Sequence, residues 1–245
     1  MGRTYKTEAV VLRSIRFGEA DRVLHLYALD GGRVGAIAKG VRRTRSRFGG
    51  RLEPLSHVEL LLHRGGGELH TVTGVELVRS HSAAREDPFR LSVGLIGAEA
   101  MLRLFVEQET NVRAFQALTR FLDLLDDVRG SGRADLEPLG LSFQLKLLWL
   151  AGYLPHVGSC AECGGDGPLI GYSPAAGGAV CRSCGGGTLA LSPDGLRALE
   201  ALLRRPLAEA HDAGLTDRAA RDALAVITSS YEHHGGFRLR TLRAG

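Results

Sequence analysis

All four cysteines of the chain fall in one pattern: Cys160-x2-Cys163, seventeen residues, then Cys181-x2-Cys184. Two such pairs bring four thiolates to one tetrahedral centre, and a centre of four sulfurs suits zinc. Gly164 and Gly185 directly follow the second cysteine of each pair. There a positive φ can turn backbone N–H groups toward the sulfurs. The intervening PLIGYSPAAGGAV reads as a hairpin with a glycine-rich turn, so residues 158–188 are expected to form a zinc ribbon. Four sulfur ligands leave the metal no open position, which makes one structural zinc ion the expectation. Disulfides and an iron–sulfur cluster are the competing readings. The N-terminus lacks the apolar core of a secretory signal, and the spacing fits a cluster less well. A zinc deaminase needs H-x-E with P-C-x-x-C; His57-Val58-Glu59 matches the first piece, but Ser159 and Val180 precede the cysteine pairs.

A second feature is the run KGVRRTRSRFGGR, residues 39–51. It carries six cations, Lys39, Arg42, Arg43, Arg45, Arg47 and Arg51, and no acid. Only Val41 and Phe48 in it are large and apolar, so it must lie on the surface. Clustered guanidinium groups create a field whose natural ligand is a line of phosphates. A basic loop that only solubilises the chain is the plain alternative. The net charge is +4, yet residues 1–80 hold 14 basic and 8 acidic side chains, leaving the remainder slightly acidic. The positive character therefore belongs to the first third of the chain.

That third reads as β structure. Strand patterns run over residues 5–13, 21–29, 33–39, 54–63 and 68–79, with turn signals at Asp30-Gly31-Gly32 and Gly65-Gly66-Gly67. Five antiparallel strands in about 80 residues fit a small barrel of the OB type. Gly74 suits a bulge in the last of them. From residue 87 the period becomes helical. Asp87-Pro88 starts a helix carrying Leu91, Leu95, Ala98, Leu102 and Phe105, and Asn111 caps a second. Residues 136–150 alternate like a strand, but their length and the run Leu147-Leu148-Trp149-Leu150 favour a helix buried on most sides, with Trp149 in the core and Gly152 at its end. Ser192-Pro193 and Thr216 start two more helices, and a basic tail, FRLRTLR, follows. The expected fold is α+β: a five-stranded OB barrel over residues 1–80, then a helical domain over 81–245 with the ribbon inserted.

No Walker A, dinucleotide fingerprint, H-E-x-x-H or G-x-S-x-G occurs, so no catalytic residues are assigned and the chain is not expected to be an enzyme. No apolar run is long enough to span a membrane. Of the barrel aromatics, Phe17, Tyr27 and Phe48 could stack on bases. Phe48, inside the basic stretch, is the favoured one.

The run GEADRVLHLYALDGGRVGAIAKGVRRTRSR (18–47) resembles the opening domain of the RecO family, as does LLWLAGYLPHVGSCAEC with the following GYSPAAGGAVCRSC. The order of barrel, helices, ribbon and helices extends the resemblance over the whole chain. It implies a cytoplasmic, nucleoid-associated recombination mediator rather than an enzyme. Such a protein binds single- and double-stranded DNA, anneals complementary strands, and acts with RecR to load RecA onto strands coated by single-strand-binding protein. By position, the basic stretch becomes part of the DNA-binding surface and the four cysteines become zinc ligands. Some relatives lack the cysteines. The resemblance also implies a pocket in the helical part for the acidic tail of single-strand-binding protein. A zinc-ribbon adaptor that binds only proteins, and a metal-dependent nucleic-acid enzyme built on Glu162 and Asp166, are the other readings.

Overall fold

The computed structural model describes residues 3–130 and 132–241, so the last two residues of the basic tail, 242 and 243, lie outside it. The chain forms two compact units, divided after Asp127. In the first, five strands, β1 (Arg3–Phe17), β2 (Asp21–Ala28), β3 (Gly32–Ala38), β4 (His57–Arg64) and β5 (His70–Arg79), close a barrel in the order β1-β2-β3-β5-β4. This is the OB architecture, and β1 makes it possible. Residues 3–10 of that strand pair with β4, and residues 9–17 pair with β2. A bulge between Val11 and Arg13 bends it from one partner to the other. The strand is longer than the run 5–13 because both ends pair beyond the apolar centre. A second bulge sits at Gly74, where a Cβ would press on the Leu61 Cβ at 3.3 Å. Closure comes from a short parallel pairing of β3 with β5, Ala36 to His70 and Ile37 to Thr71.

The barrel core is the inward half of each alternating strand: Leu24, Leu26 and Ala28, then Val34, Ala36 and Ala38, then Val58, Leu60 and Leu62. Phe48 and Leu52 complete it from the connection between β3 and β4. Phe48 is only 1% exposed. It is therefore not a surface stacking ring: it is packed into the barrel core, where burying a phenyl group gains roughly 1.5–3 kcal/mol. Tyr27 is buried as well.

Three helices complete this unit: α1 (Ser82–Glu86), α2 (Pro88–Leu104) and α3 (Val112–Asp127). The Asp87 carboxylate accepts from the Arg90 N–H at 2.8 Å, and the Asn111 Oδ1 from the Ala114 N–H at 2.9 Å, the N-caps expected from sequence. Of the expected stripe, Ala98 and Phe105 are buried, while Leu91, Leu95 and Leu102 are half-buried. The most buried face of α2 is Val93, Gly94, Gly97, Ala98 and Met101. Gly94 explains the choice, since a Cβ there would lie 2.6 Å from Leu55 Cδ1 and 3.2 Å from Leu125 Cδ2. Close packing selects the small-residue face.

The second unit is built around α4 (Arg133–Leu150), buried on most sides as its ambiguous pattern required. Gly152, at φ +88°, ends it. Trp149 is 51% exposed, contrary to its expected core position, because the inward side of the last turn is taken by Leu147 and Leu148. A hairpin of β6 (Leu169–Ser173) and β7 (Gly178–Cys181), with the short β8 (Leu189–Ala190), forms the ribbon. Helices α5 (Pro193–Arg204) and α6 (Asp217–Gly235) follow. Tyr231 on α6 donates to Gln144 Oε1 of α4 at 2.5 Å, and Tyr172 of the ribbon pairs with Ser230 of α6 at 2.8 Å. At the head of α5, Ser192 Oγ accepts from the Gly195 N–H while donating to the buried Asp222 carboxylate at 2.6 Å. Arg218 Nε, one turn back on α6, completes that carboxylate's shell at 3.2 Å.

Two predictions concern the barrel. Phe48→Ala should lower stability by about 3–5 kcal/mol, read by urea denaturation, and expose the 39–51 segment to trypsin. A wild-type midpoint and cleavage pattern would show the ring is no anchor. Burial lowers the pKa of His25, His57 and His70 below 6.5, and for His57 it outweighs the Glu8 carboxylate that pulls the other way. Each is held neutral by the folded state, so its contribution is present above pH 6.5 and is lost as pH falls through the lower folded value. The urea midpoint should therefore drop between about pH 7 and about pH 5.5, and His57→Gln should flatten that drop.

Candidate nucleic-acid interface and metal centre

The basic stretch leaves β3 and makes a series of turns. It ends in a 3-10 turn at Gly49–Leu52 before β4 begins. All six cations are exposed, and among the described residues none lies within salt-bridge distance of a carboxylate. Asp21, bonded to the stretch, and Glu53, two residues beyond it, have partners of their own. Asp21 Oδ1 accepts from the Gly40 N–H at 2.7 Å, and Glu53 pairs with Arg22 at 3.2 Å.

Three of the six side chains are oriented by the fold. Arg42 Nη1 donates to the Glu19 carbonyl at 3.0 Å, while its backbone N–H donates to the Ala20 carbonyl at 2.9 Å. Arg42 thus ties the stretch to the β1–β2 turn. Arg51 Nη1 donates to the Phe48 carbonyl at 3.1 Å, and the Arg47 guanidinium lies 4.8 Å from the Phe48 ring centroid. Phe48 thus organises two cations, one through its ring and one through its backbone carbonyl. Lys39, Arg43 and Arg45 have side chains with no polar partner among the described residues, and they are the charges freest to meet an anion.

The β1–β2 turn brings a residue beside this surface that the sequence reading had placed second to Phe48. Phe17, the last residue of β1, is 55% exposed. Its position against the turn at Gly18 was the available signal, since a hairpin end cannot bury both faces.

In the second unit the four cysteine sulfurs lie within 4.8 Å of one another, with Cys163 and Cys181 at 3.9 Å. Zinc–sulfur bonds of about 2.3 Å give tetrahedral sulfur–sulfur edges near 3.8 Å, so the four side chains fit one ion. The loops are shaped for it. Gly164 and Gly185 stand at φ +72° and +84°, as expected, and the Gly164 N–H donates to the Cys160 carbonyl at 2.8 Å. The Cys181 N–H reaches Cys160 Sγ at 3.4 Å. Hydrogen bonding from the Cys163 backbone N–H, then from that of Cys181, pulls the Cys160 thiol down to about 6. The Cys184 thiol is pushed up, chiefly by its hydrogen bond with Cys163. No carboxylate joins the sulfurs among the described residues, so Glu162 and Asp166 are not ligands here. His57 and Glu59 lie on β4, bonded to Glu8 and Lys6 respectively, and contribute nothing to the metal centre.

The helical unit also holds a cleft of about 750 Å³ bordered by Lys146, Trp149, Leu154, His156, Arg204 and Arg205. Burial lowers the Lys146 pKa, and its ammonium donates to the Leu203 carbonyl at 3.1 Å. Trp149 therefore lines a surface recess. No helix among the described residues is long and apolar enough to cross a membrane.

Residues 1–81 match the family described as Recombination protein O N terminal, and residues 85–243 match Recombination protein O C terminal. A DNA repair protein RecO of Rubrobacter xylanophilus is 43% identical over 212 residues, covering 84% of this chain and 83% of the relative. That of Anaeromyxobacter sp. strain K is 36% identical over 246 residues, covering 97% and 94%. That of Thermobifida fusca is 35% identical over 238 residues, covering 96% of each. With barrel, ribbon and helices all inside the matched spans, this chain belongs to the RecO family of DNA repair proteins.

Proposed function

We propose that the chain is a recombination mediator that works by binding rather than by catalysis, in the cytoplasm and on the nucleoid. The observation that carries this is the set of six exposed, carboxylate-free cations on one connection of an OB barrel. Such a surface neutralises phosphates without reading sequence, so it accepts single and double strands alike. Two strands held on it repel each other less and meet at higher local concentration, and annealing follows with no reacting side chain. In this reading residues 1–80 form the DNA-binding domain and residues 81–245 form the partner-facing one. RecR and single-strand-binding protein are its partners, and RecA is served indirectly. The cleft at Trp149 and Leu154, flanked by Lys146, Arg204 and Arg205, suits an acidic peptide tail with apolar residues. Cys160, Cys163, Cys181 and Cys184 would hold one zinc ion. With four sulfur ligands it braces the ribbon and takes no part in chemistry.

If about five phosphates of a single strand are contacted, log K should fall against log salt with a slope of roughly −3.5. Lys39→Glu, Arg43→Glu and Arg45→Glu together should weaken DNA binding about 100-fold or more without shifting the melting temperature, because none of the three is held by the fold. Unchanged affinity would mean the wrong surface has been chosen and would favour an adaptor that contacts only proteins. Cys163→Ser should bring zinc content from about one per chain to near zero and lower the melting temperature by roughly 5–10 °C. A fully stable, metal-free variant would refute a structural ion.

A further inference from the structure

We propose that Phe17 is a stacking platform for an unpaired nucleobase, so that a surface open to both kinds of DNA gains one contact that only an unpaired strand can make. The inference rests on the DNA-binding reading above and deepens it. The outer face of β1, β2 and β3 can be read rung by rung from the strand register. Phe17 stands opposite Asp21, Ile15 opposite Val23 and Ile37, and Arg13 opposite His25 and Gly35. Leu24 and Ala36, on the alternate rung, are core, so these side chains face outward. Phe17 and Ile15 are 55% and 38% exposed, Val23 and Ile37 are half-buried, and Arg13 is exposed. The face thus presents an aromatic ring, then an aliphatic rung, then a cation.

The turn that follows the ring is tied to the basic stretch. Arg42 is bonded to the Glu19 and Ala20 carbonyls, and the Gly40 N–H to one oxygen of Asp21, the residue across from Phe17. Phosphates held by Lys39, Arg43 and Arg45 would therefore carry their bases past an exposed phenyl ring. A base in a duplex has both faces stacked and cannot use it, whereas an unpaired base can. Phe48 and Tyr27 are buried and offer no such platform.

The test measures binding of the full chain by fluorescence anisotropy to an oligothymidylate, the same length of duplex, and an abasic strand of equal charge. Phe17→Ala should weaken binding to oligothymidylate by about 5- to 100-fold and leave duplex and abasic affinities within about twofold. Phe17→Trp should restore it, and the salt slope should not move, since no phosphate contact is lost. Equal losses on all three ligands, or no loss on oligothymidylate, would overturn the role of the ring while leaving the basic surface standing. Failure of the unaltered chain to bind any of them would overturn the DNA-binding reading, and this inference with it.

Discussion

Six like charges on one short connection repel each other, and what keeps them on the barrel is apolar. Phe48 and Leu52 are packed into the barrel core, so the segment between β3 and β4 is anchored from within. The same residue carries Arg47 on its ring and orients Arg51 through its backbone carbonyl. Electrostatics alone would spread this segment into solvent. Hydrophobic burial of one residue turns it into a surface with a defined position. Two neighbouring acids are turned to other work, Asp21 to a backbone N–H and Glu53 to Arg22.

The two units solve different problems. The barrel closes five strands around its own core and leaves the cations of one connection on its surface. The helical unit wraps α4 and carries a short ribbon in which Cys160, Val180 and Cys181 form a small buried cluster. The ribbon is seated against α6, where Tyr172 meets Ser230.

Most of the architecture was legible in the sequence because it was written in local signals. Period-two runs marked the strands, Asp87, Asn111, Ser192 and Thr216 marked helix starts, and the cysteine spacing marked the ribbon. What escaped were choices made by tertiary packing. Phe48 was read as a surface ring because its neighbours are charged, yet it packs into the barrel core. Trp149 was read as core because its neighbours are leucines, yet at the last turn of α4 the inward side was already taken. The buried face of α2 includes Gly94, where close approach of Leu55 and Leu125 needs the missing Cβ, while Leu91, Leu95 and Leu102 are only half-buried. Hydrophobicity predicts that a residue can be buried; only the shape of the partner decides whether it is.

The carboxylate at the head of α5 carries a lesson about which residues can change alone. Asp222 receives the Ser192 hydroxyl and backbone N–H, and a Cβ on Gly195 would come within 2.3 Å of its Oδ2. Lengthening position 195 therefore evicts the acid, and keeping the acid forbids any methyl group at 195. The constraint runs one way: the acid can shorten while the glycine stays, but the glycine can lengthen only after the acid has gone.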